Sequence, residues 1–174
     1  MAALLAAAVT ILIVPGATAA SGRASTPGLN IAARPSTPVR YQPPITGRLF
    51  VLRAFQRPPT PYAAGHRGAD LAAASDGLVL AAGAGRVSFA GPVASRGVVV
   101  IVHADGIRTE YEPLVPLVHV GQHVTRGQPI ARLHGSHGGC AIARCLHWGA
   151  RRGASYFDPL LLLRPLGPVR LLPW

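Results

Sequence analysis

Between residues 48 and 160, short runs of β-branched and aromatic residues alternate with glycine-marked turns, and a sustained helical period is absent. The longest run, residues 97–103, predicts a central strand buried on both faces. The dipeptide at 105–106, Asp-Gly, predicts a hairpin turn into residues 107–111, where apolar and polar residues alternate. The pattern predicts an all-β domain. Further strand segments are expected at 48–52, 78–82 and 85–90 and within 120–131.

The composition divides the chain into four segments. Residues 1–20 are apolar and end in small residues, which indicates a signal peptide; because no Lys or Arg precedes the run, a short anchor stays the alternative. Residues 21–47, rich in Ser, Thr, Pro, Gly and Arg, are expected to form a flexible linker. The folded domain is expected over 48–164, with a short helical turn near residue 160, and a tail over 165–174. These features predict export to the cell wall or the medium.

All 17 basic residues are arginine, and with 6 acidic residues the formal charge is +11. Such a charge favours an anionic surrounding, such as a bacterial wall polymer, although arginine-rich codon usage explains it equally well. Arginine clusters with interleaved aromatic residues are absent, so nucleic-acid binding is not expected. A stable membrane span is not expected beyond the N-terminal segment, and the oligomeric state is left open.

A histidine and an aspartate four residues apart, His66 and Asp70, are the most informative polar residues of the domain. Together with a distant histidine, His147, they make a common three-ligand set for a catalytic zinc ion. On a straight strand, positions i and i+4 lie about 13 Å apart, so the two can share a metal only if the chain bends. We expect Gly68 to permit that bend.

Several motifs occur in a fixed order: His66-x-x-x-Asp70, the run ending at His103, Tyr111-x-x-Leu114, the glycine-marked segment 120–130, and Leu146-His147-Trp148. In this order they resemble the M23 (lysostaphin/LytM-type) zinc metallopeptidases. The resemblance covers roughly residues 48–160. It implies an antiparallel β domain related to barrel-sandwich hybrids, zinc held by His66, Asp70 and His147, and cleavage of peptidoglycan peptides.

Two positions depart from the family pattern. Where the family has histidines that orient water and stabilise the developing oxyanion, this chain has Pro113 and Cys145. Proline has no side-chain donor or acceptor, and losing one such group commonly costs a factor of about 10²–10³ in rate. The candidates for compensation are Glu110 and Glu112, on the opposite strand face from Tyr111, and two loop histidines, His134 and His137.

Cys140 and Cys145 lie five residues apart, and an exported chain favours a disulfide between them. A disulfide would pin the loop before His147 and stabilise it by about 2–3 kcal/mol. The alternative is a reduced Cys145 that acts as a fourth zinc ligand and makes the site structural.

The remaining histidines and aromatic residues have simpler interpretations. His103 is interpreted as a hydrogen-bonded structural histidine, and His119 and His123 as exposed residues. Trp148 and Tyr156 either line a peptide groove or pack near the site. Residues 151–152, Arg-Arg, are expected to lie in a solvated turn, and the alternative is contact with anionic glycan or a substrate carboxylate.

Three functions fit these residues. The first is a secreted zinc endopeptidase acting on peptidoglycan peptides. The second is a catalytically impaired domain of the same fold that binds peptidoglycan or activates a partner hydrolase, for which Pro113 and Cys145 are the reason. The third is a barrel-sandwich carrier or adaptor like biotinyl and lipoyl domains, in which turns of the type Gly121-x-x-Val124-x-x-Gly127 also occur. Because the chain has no lysine, lipoyl or biotinyl modification itself is excluded.

Overall fold

A computed structural model of the chain describes residues 39–60, 62–74, 76–135 and 144–164. Its regular structure consists of antiparallel strands and one short 3₁₀ helix, Pro159–Leu163. The all-β prediction is confirmed. The strands are β1 Val51–Arg53, β2 Gly68–Ala72, β3 Leu78–Leu80, β4 Gly85–Val93, β5 Arg96–Val102, β6 Ile107–Glu112, β7 Leu114–Pro116, β8 His123–Val124, β9 Pro129–Leu133, β10 Cys145–Arg152 and β11 Ser155–Phe157.

The strands form two sheets. The larger has eight strands in the order β1-β2-β10-β6-β5-β4-β8, with β11 paired to β10, and the smaller has the order β3-β9-β7. Because side chains alternate along a strand, each strand of the large sheet has a core face and an outer face. Trp148 on β10 pairs with Ala69 on β2 and Tyr111 on β6, and all three are fully buried on the core face. Their sequence neighbours therefore lie on the outer face.

Strand β5 is the run predicted to be buried on both faces, and the prediction is wrong for part of the outer face. Val99 and Ile101 are fully buried in the core. On the outer face Val98 is buried at 9% exposure, whereas Val100 and Val102 are only partly buried. The outer face of the large sheet therefore remains open to solvent in front of Val100 and Val102.

Part of the expected linker belongs to the domain. The backbone of Gln42 donates to the carbonyl of Ala82 at 2.8 Å, and Leu80 donates to the carbonyl of Pro44 at 2.8 Å. Ile45 forms a bridge with β3 and is only 5% exposed in the hydrophobic core. The boundary expected at residue 48 is therefore too late, because the described chain already packs on the small sheet before it.

A chain of polar side chains crosses the core beneath the large sheet. His103 Nδ1 lies 2.9 Å from the carbonyl oxygen of Ala84, and its Nε2 lies 2.8 Å from Thr109 Oγ1. Thr109 Oγ1 lies 2.8 Å from the Tyr111 hydroxyl, which accepts from the backbone of Ala82 at 3.0 Å. Burial lowers the pKa of His103 and raises the pKa of Tyr111 to about 12. His103 is thus a structural histidine, as expected.

The C-terminal part of the described chain matches its expectation. The Asp158 carboxylate accepts from the backbone of Leu160 at 3.0 Å and caps the 3₁₀ helix, whose first residue is Pro159. Within the described segments, no helix has the length and apolar character needed to span a bilayer. The segments expected at 1–20 and 165–174 lie outside the described residues.

Candidate metal centre

His66 lies just before β2 and is fixed by backbone and side-chain contacts. Its backbone exchanges two hydrogen bonds with Gln56, at 2.8 and 3.0 Å, across an isolated bridge. Its Nδ1 lies 2.7 Å from the carbonyl oxygen of Ala54, and the residue is 5% exposed. These contacts orient the ring so that Nε2 points toward β2. The sequence motif contains neither Gln56 nor Ala54, and a backbone carbonyl has no sequence signal.

The other two side chains lie on neighbouring strands of the large sheet. Asp70 on β2 and His147 on β10 are direct cross-strand partners, so their side chains share the outer face. The expected bend lies at Arg67, and Gly68 is already the first residue of β2. A Cβ on Gly68 would lie 2.7 Å from His147 Nε2. Gly68 therefore matters because it leaves room for the imidazole of His147.

Three ligand atoms converge at this point. His66 Nε2 lies 2.9 Å from Asp70 Oδ1 and 3.1 Å from His147 Nδ1, and His147 Nδ1 lies 2.9 Å from the same carboxylate oxygen. A tetrahedral zinc site with bonds of about 2.0–2.1 Å separates its ligand atoms by about 3.3 Å. The triangle is slightly smaller than that and has the right shape for three ligands of one ion.

The donor set is electron-rich and suits a cation. The Ala54 carbonyl can only accept, so it selects the tautomer in which His66 Nδ1 donates and Nε2 is left as the acceptor that faces Asp70 and His147. One proton among the three atoms satisfies one edge of the triangle, whereas a divalent cation satisfies all three. A backbone carbonyl on the second ring nitrogen is also the usual support for a metal-binding histidine. The residues therefore fit a zinc ion.

The two positions that depart from the family pattern provide no exposed polar side chain. Pro113 is buried, and its carbonyl accepts from the backbone of His134 at 3.2 Å. Cys145 is fully buried at the start of β10, and among the described residues the converging metal-ligand group comprises His66, Asp70 and His147 without it. His134 is exposed. Cys140 and His137 lie outside the described residues, so the disulfide and the role of His137 stay predictions.

The register of β6 decides which way its two glutamates face. Glu112 is the cross-strand partner of His147, and Glu110 is the partner of Gly149. Tyr111 lies between them on the core face. Both carboxylates therefore lie on the outer face with the metal-ligand cluster, and Glu112 is the nearer of the two in the strand register.

Each glutamate already has a cationic or phenolic partner. Arg96 Nε donates to Glu112 Oε2 at 3.4 Å, and Arg151 Nε donates to Glu110 Oε1 at 2.6 Å. The Tyr156 hydroxyl donates to Glu110 Oε2 at 3.0 Å. Burial, followed by the charge of Glu110, raises the pKa of Tyr156 to about 12. Glu112 has the longer and weaker of the two arginine contacts.

The remaining candidate residues are not part of the converging ligand group. Trp148 is a core residue with no exposed surface, so of its two interpretations the structure supports packing and not the lining of a groove. His119 and His123 are exposed, as expected. Arg152 donates to the backbone carbonyl of Asp105 at 2.8 Å, so its guanidinium supports the turn after β5.

Comparison with known proteins agrees with the fold. The model of peptidase family M23 matches residues 64–159. The chain belongs to peptidase family M23. It is 46% identical over 127 residues to uncharacterized proteins of Mycobacterium tuberculosis and Mycobacterium bovis, an alignment that covers 71% of this chain and 51% of theirs. The chain thus spans about half the length of these relatives.

Solved structures share the fold at low sequence identity. The catalytic domain of lysostaphin from Staphylococcus simulans aligns with a TM-score of 0.55 and 24% identity, over 66% of this chain and 92% of that one. A zinc-containing peptidase from Vibrio cholerae aligns with a TM-score of 0.58 and 23% identity, over 75% and 41%. The SpoIIQ–SpoIIIAH pore-forming complex contains a chain that aligns with a TM-score of 0.60 and 23% identity, over 72% and 91%.

Proposed function

We propose that the chain is a secreted zinc metalloendopeptidase of the M23 family that acts on peptide bonds of bacterial peptidoglycan. The observation that carries the proposal is the convergence of His66, Asp70 and His147, whose ligand atoms lie 2.9–3.1 Å apart. When bound there, zinc would polarise a substrate carbonyl and lower the pKa of water. Two structural neighbours, a zinc-containing peptidase and the antimicrobial peptidase lysostaphin, are consistent with this activity.

The side chains of the chain itself have separable tasks in this proposal. His66 and His147 would bind the ion through neutral nitrogens, and Asp70 would supply the negative charge. Glu112 would take and return a proton, since it is the cross-strand partner of His147 and its side chain is 23% exposed. Directly paired residues have Cβ atoms about 4.5–5.5 Å apart, within reach of a group held at the ligand cluster.

Two observations favour a second function, a domain of this fold that binds peptidoglycan or activates a partner hydrolase without cutting. Pro113 has no polar side-chain group, and Cys145 is fully buried. In addition, SpoIIQ, a structural neighbour, is described in a complex with another protein. The metal-ligand cluster is compatible with both functions, so only a measurement of peptidoglycan hydrolysis separates them.

The deciding experiment measures zinc content and peptidoglycan hydrolysis on the same preparation. We expect one zinc per chain and release of new amino groups from purified peptidoglycan, both lost in His66→Ala and both retained in His119→Ala, which changes an exposed histidine. Stoichiometric zinc without amino-group release supports the second function. A wild-type chain that binds no zinc contradicts the proposed role of the cluster.

The oxidation state of Cys140 and Cys145 needs a separate measurement. We propose a disulfide between them, consistent with export. Intact mass under non-reducing conditions should be two hydrogens lower than after reduction. Alkylation of two thiols without prior reduction would contradict the disulfide.

A further inference from the structure

An open groove of about 430 Å³ lies on the outer face of the large sheet. Strands β4, β5, β6 and β10 line it, and β10 also carries His147. Neighbouring strands lie about 4.8 Å apart, so β6 is one strand and β5 two strands from His147. An extended peptide held at the ligand cluster would therefore place its next two or three residues over this groove.

The floor of the groove is apolar and its side toward β10 is charged. Val98, Val100 and Phe89 supply the apolar surface. The charged lining residues are Arg108, Arg151, Glu110 and Glu112. Apolar surface combined with a few polar groups is the usual composition of a ligand site.

The two arginines and two glutamates of the lining balance in number, but Arg96, which lies outside the lining, takes up the charge of Glu112, so the ion pairs leave one lining arginine over. Arg151 is bound to Glu110 at 2.6 Å, and Glu112 is bound at 3.4 Å to Arg96, which lies at the start of β5. Arg108 is exposed and has no ion pair within the described segments. It is also the direct cross-strand partner of Arg151, so the two side chains leave the sheet from neighbouring positions on the same face. Like charges directly opposite each other are unfavourable, and Glu110 offsets the charge of Arg151 but not that of Arg108.

We infer that the groove binds a peptide segment bearing a carboxylate, and that Arg108 is the residue that recognises it. The inference rests on the proposed function, since it assigns the groove to the part of the peptide substrate that flanks the cluster. A guanidinium binds a carboxylate through two parallel hydrogen bonds, which makes the contact selective as well as attractive. The valines and Phe89 would contact the apolar or methyl groups beside that carboxylate.

The test measures binding rather than turnover, in the full chain carrying His66→Ala so that the probe stays intact. Two probes are used: a capped alanine hexapeptide with one central glutamate, and the same peptide with glutamine. We expect the glutamate peptide to bind more tightly, and Arg108→Gln to weaken it about tenfold while leaving the glutamine peptide unchanged. The dissociation constants come from NMR titration.

The control is Arg132→Gln, which removes the same charge from an exposed residue of the small sheet and should leave both affinities unchanged. Charge reversal gives an independent readout, since Arg108→Glu should make a lysine peptide the preferred ligand. Three results would overturn the inference. The first is equal affinity for the two probes, and the second is no binding of either probe at millimolar concentration. The third is that Arg108→Gln weakens the binding of inorganic polyphosphate as much as it weakens the binding of the glutamate peptide. Each of these results is independent of whether the wild-type chain cleaves peptidoglycan.

Discussion

Replacing Gly68 by alanine tests how closely β2 and β10 must approach for the metal centre to form. An added Cβ would overlap the carbonyl oxygen of Trp148 and lie 2.7 Å from His147 Nε2 and 2.8 Å from Cε1. Ordinary contact begins at 3.4 Å, so the imidazole would have to retreat by about 0.7 Å, which is 3.4 minus 2.7. Metal–ligand distances tolerate only about 0.2 Å. We therefore expect Gly68→Ala to weaken zinc binding by about tenfold to a hundredfold.

The same substitution should also lower the stability of the metal-free domain. The overlap with Trp148 involves backbone in the middle of the sheet, and overpacking of this kind costs about 1–3 kcal/mol. Zinc affinity is measured by competition with a chromophoric chelator, and stability by thermal unfolding in EDTA. The matched control is Gly91→Ala in β4, where the nearest atom to the new Cβ is 3.6 Å away and belongs to Phe89.

The two readouts separate the packing argument from the proposed function. Wild-type zinc affinity together with an unchanged unfolding midpoint in Gly68→Ala would refute the packing argument. If the wild-type chain binds no zinc but Gly68→Ala still melts at a lower temperature than Gly91→Ala, the packing argument holds and the zinc proposal fails.

Three further predictions concern the fold. Burial lowers the pKa of His103, so as the pH falls the unfolded chain takes up this proton before the folded chain does. The free energy of unfolding should therefore decrease below about pH 6.5. His103→Gln should reduce the slope of the free energy of unfolding against pH by up to about 1.4 kcal/mol per pH unit, measured by denaturant titration in EDTA. Tyr111→Phe leaves the backbone donor of Ala82 without its acceptor and should cost about 1–3 kcal/mol, whereas Tyr62→Phe, at a side chain 99% exposed, should cost nothing measurable. Ile45→Ala should lower the free energy of unfolding by about 2–4 kcal/mol, again measured by denaturant titration. A decrease of less than about 0.5 kcal/mol would contradict the place of Ile45 in the core.

Strand periodicity was a good guide wherever one face of a strand is buried. The alternation over residues 107–111 correctly separated Tyr111 from the glutamates beside it, and the structure adds that the glutamates share a face with His147. The prediction that β5 is buried on both faces was wrong in part because the outer-face valines are as apolar as the core residues. Apolar residues that face an open groove cannot be distinguished from buried ones by composition alone.

Backbone contacts account for most of what the sequence could not show. Residues 39–47 have a linker-like composition, yet their peptide groups form hydrogen bonds with β3 and with residues near it. In the sequence, one apolar residue, Ile45, next to prolines is too weak a signal to predict that this segment packs on the domain. Similarly, the spacing of His66 and Asp70 indicated a bend but not its position, which depends on the bridge to Gln56. The convergence with His147 followed from family resemblance rather than from spacing.

The three metal-binding side chains belong to segments that differ in how readily they unfold locally. Asp70 and His147 belong to paired central strands, whereas His66 is held by the bridge to Gln56 and one contact to Ala54. Segments with few backbone bonds open far more often than the strands they border. We expect zinc to leave through opening of the Gln56–His66 bridge, with the sheet intact. Amide exchange at Gln56 and His66 should therefore slow on zinc loading, and opening of this bridge should set the rate of metal dissociation.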